Sequence, residues 1–219
     1  MNKFFSLFFG LMIFMFPVNV SAQDAGNMQL PPVSEFSGTD LFQALRERQS
    51  LRAFSEKELA AQDLGDTLWA AGGVKTIGGK WLIPFARRTE PTFRIYVTGR
   101  SGTYLYNGAE HLLEFVSQRD LRAEAALQEF VAEAPVVLLF VANPDPLQDR
   151  DKSRPVDELL DVVYLSCGAA MQDVYLVAAA KQLATCYIGS IKHGEWEKEL
   201  QLTEGDLYFG AMPLGYPAE

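Results

Sequence analysis

Gly168-Ala169-Ala170-Met171-Gln172-Asp173-Val174-Tyr175-Leu176-Val177-Ala178-Ala179-Ala180 is apolar on nearly every face and rich in small side chains. Small residues let neighbouring helices come close, and a helix with so little polar surface is stable only when it is covered on all sides. With the residues before it, the stretch predicts a helix from about Pro155 to Gln182, the longest element in the chain. Asp161, Gln172 and Asp173 interrupt it, so it reads as the buried centre of a fold and not as a membrane span.

Working outward, Val136-Val137-Leu138-Leu139-Phe140-Val141 is a short continuous apolar run that reads as a buried strand, followed by a loop from Asn143 to Ser153 dense in Pro and Asp. Beyond the long helix come a strand from Thr185 to Ile188, a short helix after His193 and a strand from Leu207 to Leu214. Further upstream, Thr92 to Thr98 alternates and is rich in β-formers; Thr103 to Tyr106, an Asn107-Gly108 turn and Leu112 to Val116 extend it into a meander of hairpins. A helix is expected near Leu121 to Val131. Near the front, Thr39 or Asp40 caps a helix through Leu41, Ala44 and Leu45. Ser55 with Glu58 gives a capping-box pattern opening a second helix that stops at Gly72-Gly73. A parallel doubly wound fold needs regular strand-helix alternation and a Gly-rich turn after the first strand, and neither occurs. The class is therefore α+β, a mostly antiparallel sheet flanked by helices, with one domain from residue 37 to residue 219.

The first 22 residues lie outside this domain. Lys3 precedes an almost purely apolar run from Phe4 to Phe16, then Pro17 and the small residues of Val20-Ser21-Ala22, the layout of a secretory signal peptide. The run is about 13 residues, short of the roughly 20 that span a bilayer. Cleavage after Ala22 implies export, read as the bacterial periplasm, with no stable membrane insertion afterwards. Residues 23–36, with the pair Pro31-Pro32 and no periodicity, read as an extended arm that could reach across a partner subunit. Loss of the signal removes one lysine and no acid, so the remainder is more acidic than the net charge of −9 of the full chain. Such a balance does not supply the basic face that nucleic acid requires. Cys167 and Cys186 fall in a helix and an apolar strand and read as buried small hydrophobes. With only His111 and His193, and neither Cys-x-x-Cys nor His-x-x-x-His, no metal site is expected.

Function enters through a basic segment, Arg48-Gln49-Ser50-Leu51-Arg52-Ala53-Phe54. In an extended backbone, residues i, i+2 and i+4 point to one side, so two guanidiniums and a hydroxyl can converge on one phosphate, whose oxygens match the arginine fork. The segment is answered downstream by Gly168 to Asp173, by Ala184-Thr185-Cys186-Tyr187-Ile188-Gly189 and by the closing Gly215-Tyr216-Pro217. In that order the four pieces resemble the nitroreductase family, over roughly residues 40 to 217. Its members carry an Arg-x-Ser-x-Arg-x-Phe opening, a Gly-Ala-Ala-x-Gln-(Asn/Asp) start to an Ala-rich helix, a Gly-rich strand and a final Gly-Tyr-Pro.

The resemblance implies the nitroreductase-like fold, a homodimer with the long helix at its heart, and flavin mononucleotide (FMN) as cofactor, working by hydride transfer at the flavin N5. Arg48 and Ser50, with Gln49 between them, would hold the phosphate and Arg52 the pyrimidine edge, while Ile188 and Gly189 pass their backbone along the ring. Many relatives continue Pro-Ser-Ala-x-Asn-x-Gln where this chain has Pro84-Phe85-Ala86-Arg87-Arg88-Thr89-Glu90. Either Arg88 acts as a second cation with Phe85 stacking or closing over the ring, or flavin binding is weakened or lost. The basic tail of many relatives is missing beyond Gly-Tyr-Pro, which leaves phosphate affinity to the first segment with Lys192 or Arg46. Tyr187 and Glu90 are the candidate acid or base groups. Export makes a nicotinamide donor an awkward fit, so the activity is read either as an oxidase or dehydrogenase acting on a small molecule or peptide of the cell envelope, or as a reductase fed by another redox partner. The rival expectation is a flavin-free secreted binding or scaffold protein that keeps the fold.

Overall fold

The computed structural model describes residues 26–35, 39–75, 79–84, 91–144, 147, 155–202 and 205–219. The signal segment and Phe85, Ala86, Arg88 and Glu90 lie outside the described residues.

Seven strands form one sheet in the order β1-β4-β3-β2-β5-β7-β6, and every pairing is antiparallel. They are β1 (Met28–Gln29), β2 (Phe93–Gly99), β3 (Gly102–Asn107), β4 (Leu112–Ser117), β5 (Val136–Ala142), β6 (Ala184–Thr185) and β7 (Leu207–Gly215). The meander β2-β3-β4 forms as its alternation predicts. Its second turn is held by the Asn107 side chain, which accepts from the amides of Ala109 and Glu110.

β5 explains its own continuous apolar run. It lies between β2 and β7 with both faces covered, so alternation sends Leu138, Phe140 and Ala142 to one core and Val137, Leu139 and Val141 to another. Full burial of Leu138, Leu139 and Phe140 stabilises the fold by about 1.5–3 kcal/mol each. Helices α1 (Leu41–Glu47) and α2 (Ala61–Gly72) both pack on α3 (Val156–Ala180), and α2 and α3 close the first core. The second is closed by residues 121–131, Trp196 and Leu200.

α3 turns Leu159, Val163, Cys167, Ala170 and Val174 into the first core, at helical spacing. Its opposite stripe, Asp161, Leu165, Gly168 and Gln172, is exposed, and Leu165 is 76% accessible. The cover expected on all sides is thus completed on one side only within a single chain. By length and apolarity alone this helix could cross a membrane.

Four local expectations change. The helix expected over Leu121 to Val131 is a turn followed by a 3₁₀ segment at Glu129–Glu133. Its amides are spent elsewhere, Leu121 donating to Thr98 Oγ1 and Leu127 to the Ser190 carbonyl. The Ser55/Glu58 capping box does not form: the Ser55 amide donates to the Tyr216 carbonyl, and Glu58 pairs with Arg100. α2 starts later, at Ala61, with no side-chain cap. The described part of the arm packs on its own chain: β1 pairs with β4, and Ser34 donates twice to Asp66. The strand expected from Thr185 to Ile188 is interrupted: Ala184 and Thr185 pair with β7 and Ile188 rejoins it at Ala211, while Cys186 between them falls opposite Pro213, which has no amide to donate.

Candidate functional site

α1 ends at Glu47, and Arg48 closes it by donating its amide to the Ala44 carbonyl. From there the chain runs as a strap along the sheet edge. The Leu51 amide donates to the Thr185 carbonyl, the Ala218 amide to the Ala53 carbonyl, and Phe54 bridges Pro217. The closing Gly-Tyr-Pro is therefore the track on which the basic strap is laid.

Two side chains of the strap meet on one residue of α3. The Arg48 guanidinium sits over the Tyr175 ring, 5.1 Å from its centroid, and Ser50 Oγ lies 3.0 Å from the Tyr175 hydroxyl. That hydroxyl also accepts from the amide of Tyr187, at 2.7 Å. One phenol thus joins the strap, the long helix and the segment after β6.

Beside it opens a hollow of about 570 Å³ lined by Tyr164, Gly168, Met171, Gln172, Tyr175, Tyr187 and Phe209. The Tyr164 and Phe209 rings lie 5.1 Å apart. Burial pushes the Tyr164 hydroxyl up, helped by the Asp161 carboxylate. The lining is mostly apolar and aromatic, and ring faces of this kind suit a planar ligand. A second hollow, of about 340 Å³ near Trp81, Arg94 and Glu114, contains none of the residues singled out from the sequence.

Of those residues, Arg48 and Ser50 are brought together on Tyr175, which lines the larger hollow, and Tyr187 lines it at 44% exposure. Arg52 is exposed, and its charge opposes the burial that pushes the Cys186 thiol up. Gln49 and Pro84 are exposed and line neither hollow. Ile188 spends both its amide and its carbonyl on Ala211, so it is Gly189 that presents open backbone. A Cβ at Gly189 would lie 2.9 Å from the Tyr187 hydroxyl, and one at Gly210 would lie 2.8 Å from Tyr187 Cε2. The absent side chains make room for the phenol of this chain's own Tyr187. Both cysteines are buried and free, as read from the sequence.

Sequence reasoning missed Tyr164, Met171, Tyr175 and Phe209. Three of the four were legible as a stripe, because Tyr164, Gly168, Met171 and Tyr175 recur at four, three and four residues along a helix.

An antiparallel sheet crossed by a long small-residue helix, with a basic strap meeting a residue that lines an aromatic hollow, defines an α+β protein that offers donors to an anion beside a slot for a ring. The chain belongs to the nitroreductase family, whose sequence profile matches residues 45–216. It is 30% identical over 206 residues to a provisionally named nitroreductase of Methanocaldococcus jannaschii, covering 90% of this chain and 99% of that protein. A provisionally named nitroreductase of Ralstonia eutropha has a similar solved structure, with a TM-score of 0.78, 29% identity, and coverage of 88% of this chain and 90% of the other. The fold extends to the NADPH:FMN oxidoreductase of Vibrio harveyi, with a TM-score of 0.58, 16% identity, and coverage of 83% and 70%.

Proposed function

We propose that the chain is an FMN-dependent oxidoreductase that acts on a small-molecule or peptide substrate in the cell envelope. One observation carries this reading: Arg48 and Ser50 converge on Tyr175, a residue that lines an aromatic hollow together with Tyr164, Tyr187 and Phe209. The residues fit the cofactor. Arg48 and Ser50 supply a cation and a hydroxyl for its phosphate, the hollow has aromatic faces for its ring, and Gly189 leaves open backbone beside it. When bound, FMN supplies reversible two-electron transfer at its N5. The chain's own residues orient it and place fixed charge. Arg52 would supply fixed positive charge for the negative charge that accumulates on reduction, Tyr164 and Phe209 would cover the ring against water, and Tyr187 would be the candidate proton donor in the lining.

The assembly we propose is a homodimer through the open stripe of α3. Leu165 there, with Leu41 and Phe42 of α1, the last 70% exposed, is the kind of apolar surface that a second copy covers. We also propose that the site works in the periplasm, with electrons exchanged through a redox partner.

The flavin-free binding or scaffold reading is favoured by a different observation, the Tyr187 phenol that fills the space over Gly189 and Gly210. Visible absorbance separates the two. After incubation with FMN and removal of the excess, the first reading expects a stoichiometric flavin spectrum. A colourless protein that takes up no FMN at high concentration would leave the second.

A further inference from the structure

We infer that Tyr175 is the positioning residue of the phosphate site, a role that rests on the FMN reading above. Its hydroxyl orders Ser50 as a donor, its ring holds Arg48, and the same hydroxyl links phosphate occupancy to the backbone at Tyr187.

Counting protons leads to this role. A backbone amide can only donate, so the Tyr175 oxygen accepts from Tyr187, at 2.7 Å. Tyr175 keeps one O–H proton, and the hydroxyl it meets is Ser50 Oγ, at 3.0 Å. Of the two hydroxyls the phenol is the more acidic and the better donor, all the more so while its oxygen accepts from an amide, because donors and acceptors in a chain reinforce one another. Tyr175 therefore donates to Ser50. Ser50 is left with its own proton and, among the described residues, no other partner for it. A serine whose oxygen is already satisfied turns its proton outward, and a phosphate, which offers only acceptors, is the group that takes it.

The ring completes the arrangement. No carboxylate answers Arg48 among the described residues; the face of Tyr175 is what holds its guanidinium. An aromatic face attracts the cation without using its N–H groups, which stay available to oxygen. The third link reaches the ring end of the site. Because the Tyr187 amide, on the edge facing away from β7, donates to Tyr175, residues 187–189 stand beside the hollow at a position set by the phenol that faces the phosphate.

The test compares FMN with riboflavin, which carries the same ring and lacks the phosphate. Tyr175→Phe keeps the ring and loses the hydroxyl. It should bind FMN about five- to tenfold more weakly, the scale of one hydrogen bond, with a clearly smaller loss for riboflavin, which feels only the released Tyr187 amide. Ser50→Ala should show the same selective loss, and the double variant should be no worse than either alone. In the unaltered protein, FMN should slow hydrogen exchange at the Tyr187 amide and riboflavin should not, a readout that needs no variant to fold. Equal losses for FMN and riboflavin in Tyr175→Phe, no loss for either, additive losses in the double variant, or equal protection by the two flavins would each overturn the role of Tyr175 while the FMN reading stands. Failure of the unaltered protein to bind either flavin would remove the FMN reading and this inference with it.

Discussion

Two tyrosine hydroxyls, one holding the basic strap and one holding the closing segment it is laid on, are partnered in opposite ways. Tyr216 donates to Asp63 Oδ2 at 2.7 Å, while Lys181 bridges Asp63 at 2.9 Å and Asp66 at 2.7 Å. Asp66 accepts further from the amide and hydroxyl of Ser34 and from Gln62. In that cluster each carboxylate is answered from several sides. Around Tyr175 the opposite holds, with a guanidinium met by a ring face and a serine proton with no taker among the described residues. A saturated network fixes structure, and one with donors left over is prepared for a ligand. Variants in the first should change stability and spare binding, and variants in the second should do the reverse.

The largest effect is expected at Lys181, whose side chain is 14% exposed. Lys181→Met leaves two carboxylates facing each other without their cation and should cost about 3 kcal/mol in urea unfolding. The pH profile shows the same network. Burial alone would raise Asp66, but the bonds from Lys181, Ser34 and Gln62 hold it below its ordinary 3.8. Its contribution is complete above that value and is lost as pH falls through the lower native pKa. Burial alone would lower Lys181, but Asp66 and Asp63 hold it above its ordinary 10.5, so its contribution is complete below that value and is lost as pH rises through the higher native pKa. Stability from this pair should be flat between those limits and fall beyond them, and Lys181→Met should abolish the alkaline fall and shrink the acid one, where Ser34 and Gln62 still bind Asp66. Normal stability with lost FMN binding would break the contrast at its strongest point.

Arg48→Ala comes next and should act on the other property. Removing a charge-assisted phosphate contact should weaken FMN binding by about 2 kcal/mol, read by fluorescence titration, with the unfolding midpoint held within about 0.5 kcal/mol. An unfolding loss larger than the binding loss would place Arg48 among the structural groups. Tyr216→Phe should cost about 1 kcal/mol of stability, one hydrogen bond, and leave FMN affinity unchanged. Beside Tyr175→Phe it makes a matched pair in which the same deletion is read out in opposite assays.

Much of this was legible in the chain and part of it was not, for reasons that differ by element. β5 and the β2-β3-β4 meander follow from apolar runs and alternation, which depend on neighbours a few residues away. The Arg48 to Phe54 motif showed which groups could meet an anion, since spacing along an extended segment settles which side they share. It could not show what they meet first. Ser50 and Tyr175 are 125 residues apart in sequence, and their contact exists only once α3 lies against the strap. The failed capping box has the same cause: Ser55 and Glu58 carry the right local pattern, and a carbonyl from the far end of the chain outcompetes it. Tyr216 looked like part of a cofactor signature and proves to be a structural tie.

The smallest effect is expected at Gly189, where the two readings of the hollow meet. Its backbone does not need positive φ, so alanine fits the chain, and the nearest obstacle is the terminal hydroxyl of Tyr187, 2.9 Å from the new Cβ. That hydroxyl is the free end of a side chain 44% exposed, and it can swing aside, so Gly189→Ala should cost less than about 0.5 kcal/mol in stability. A methyl there would still stand against a bound ring, and displacement of the phenol toward the hollow would add to the crowding. FMN affinity should therefore fall about threefold, on the order of 0.6 kcal/mol, while the unfolding midpoint stays in place. An affinity unmoved by Gly189→Ala would mean that no ring lies along this backbone, and the Tyr187 phenol would then be the permanent occupant of the space above it.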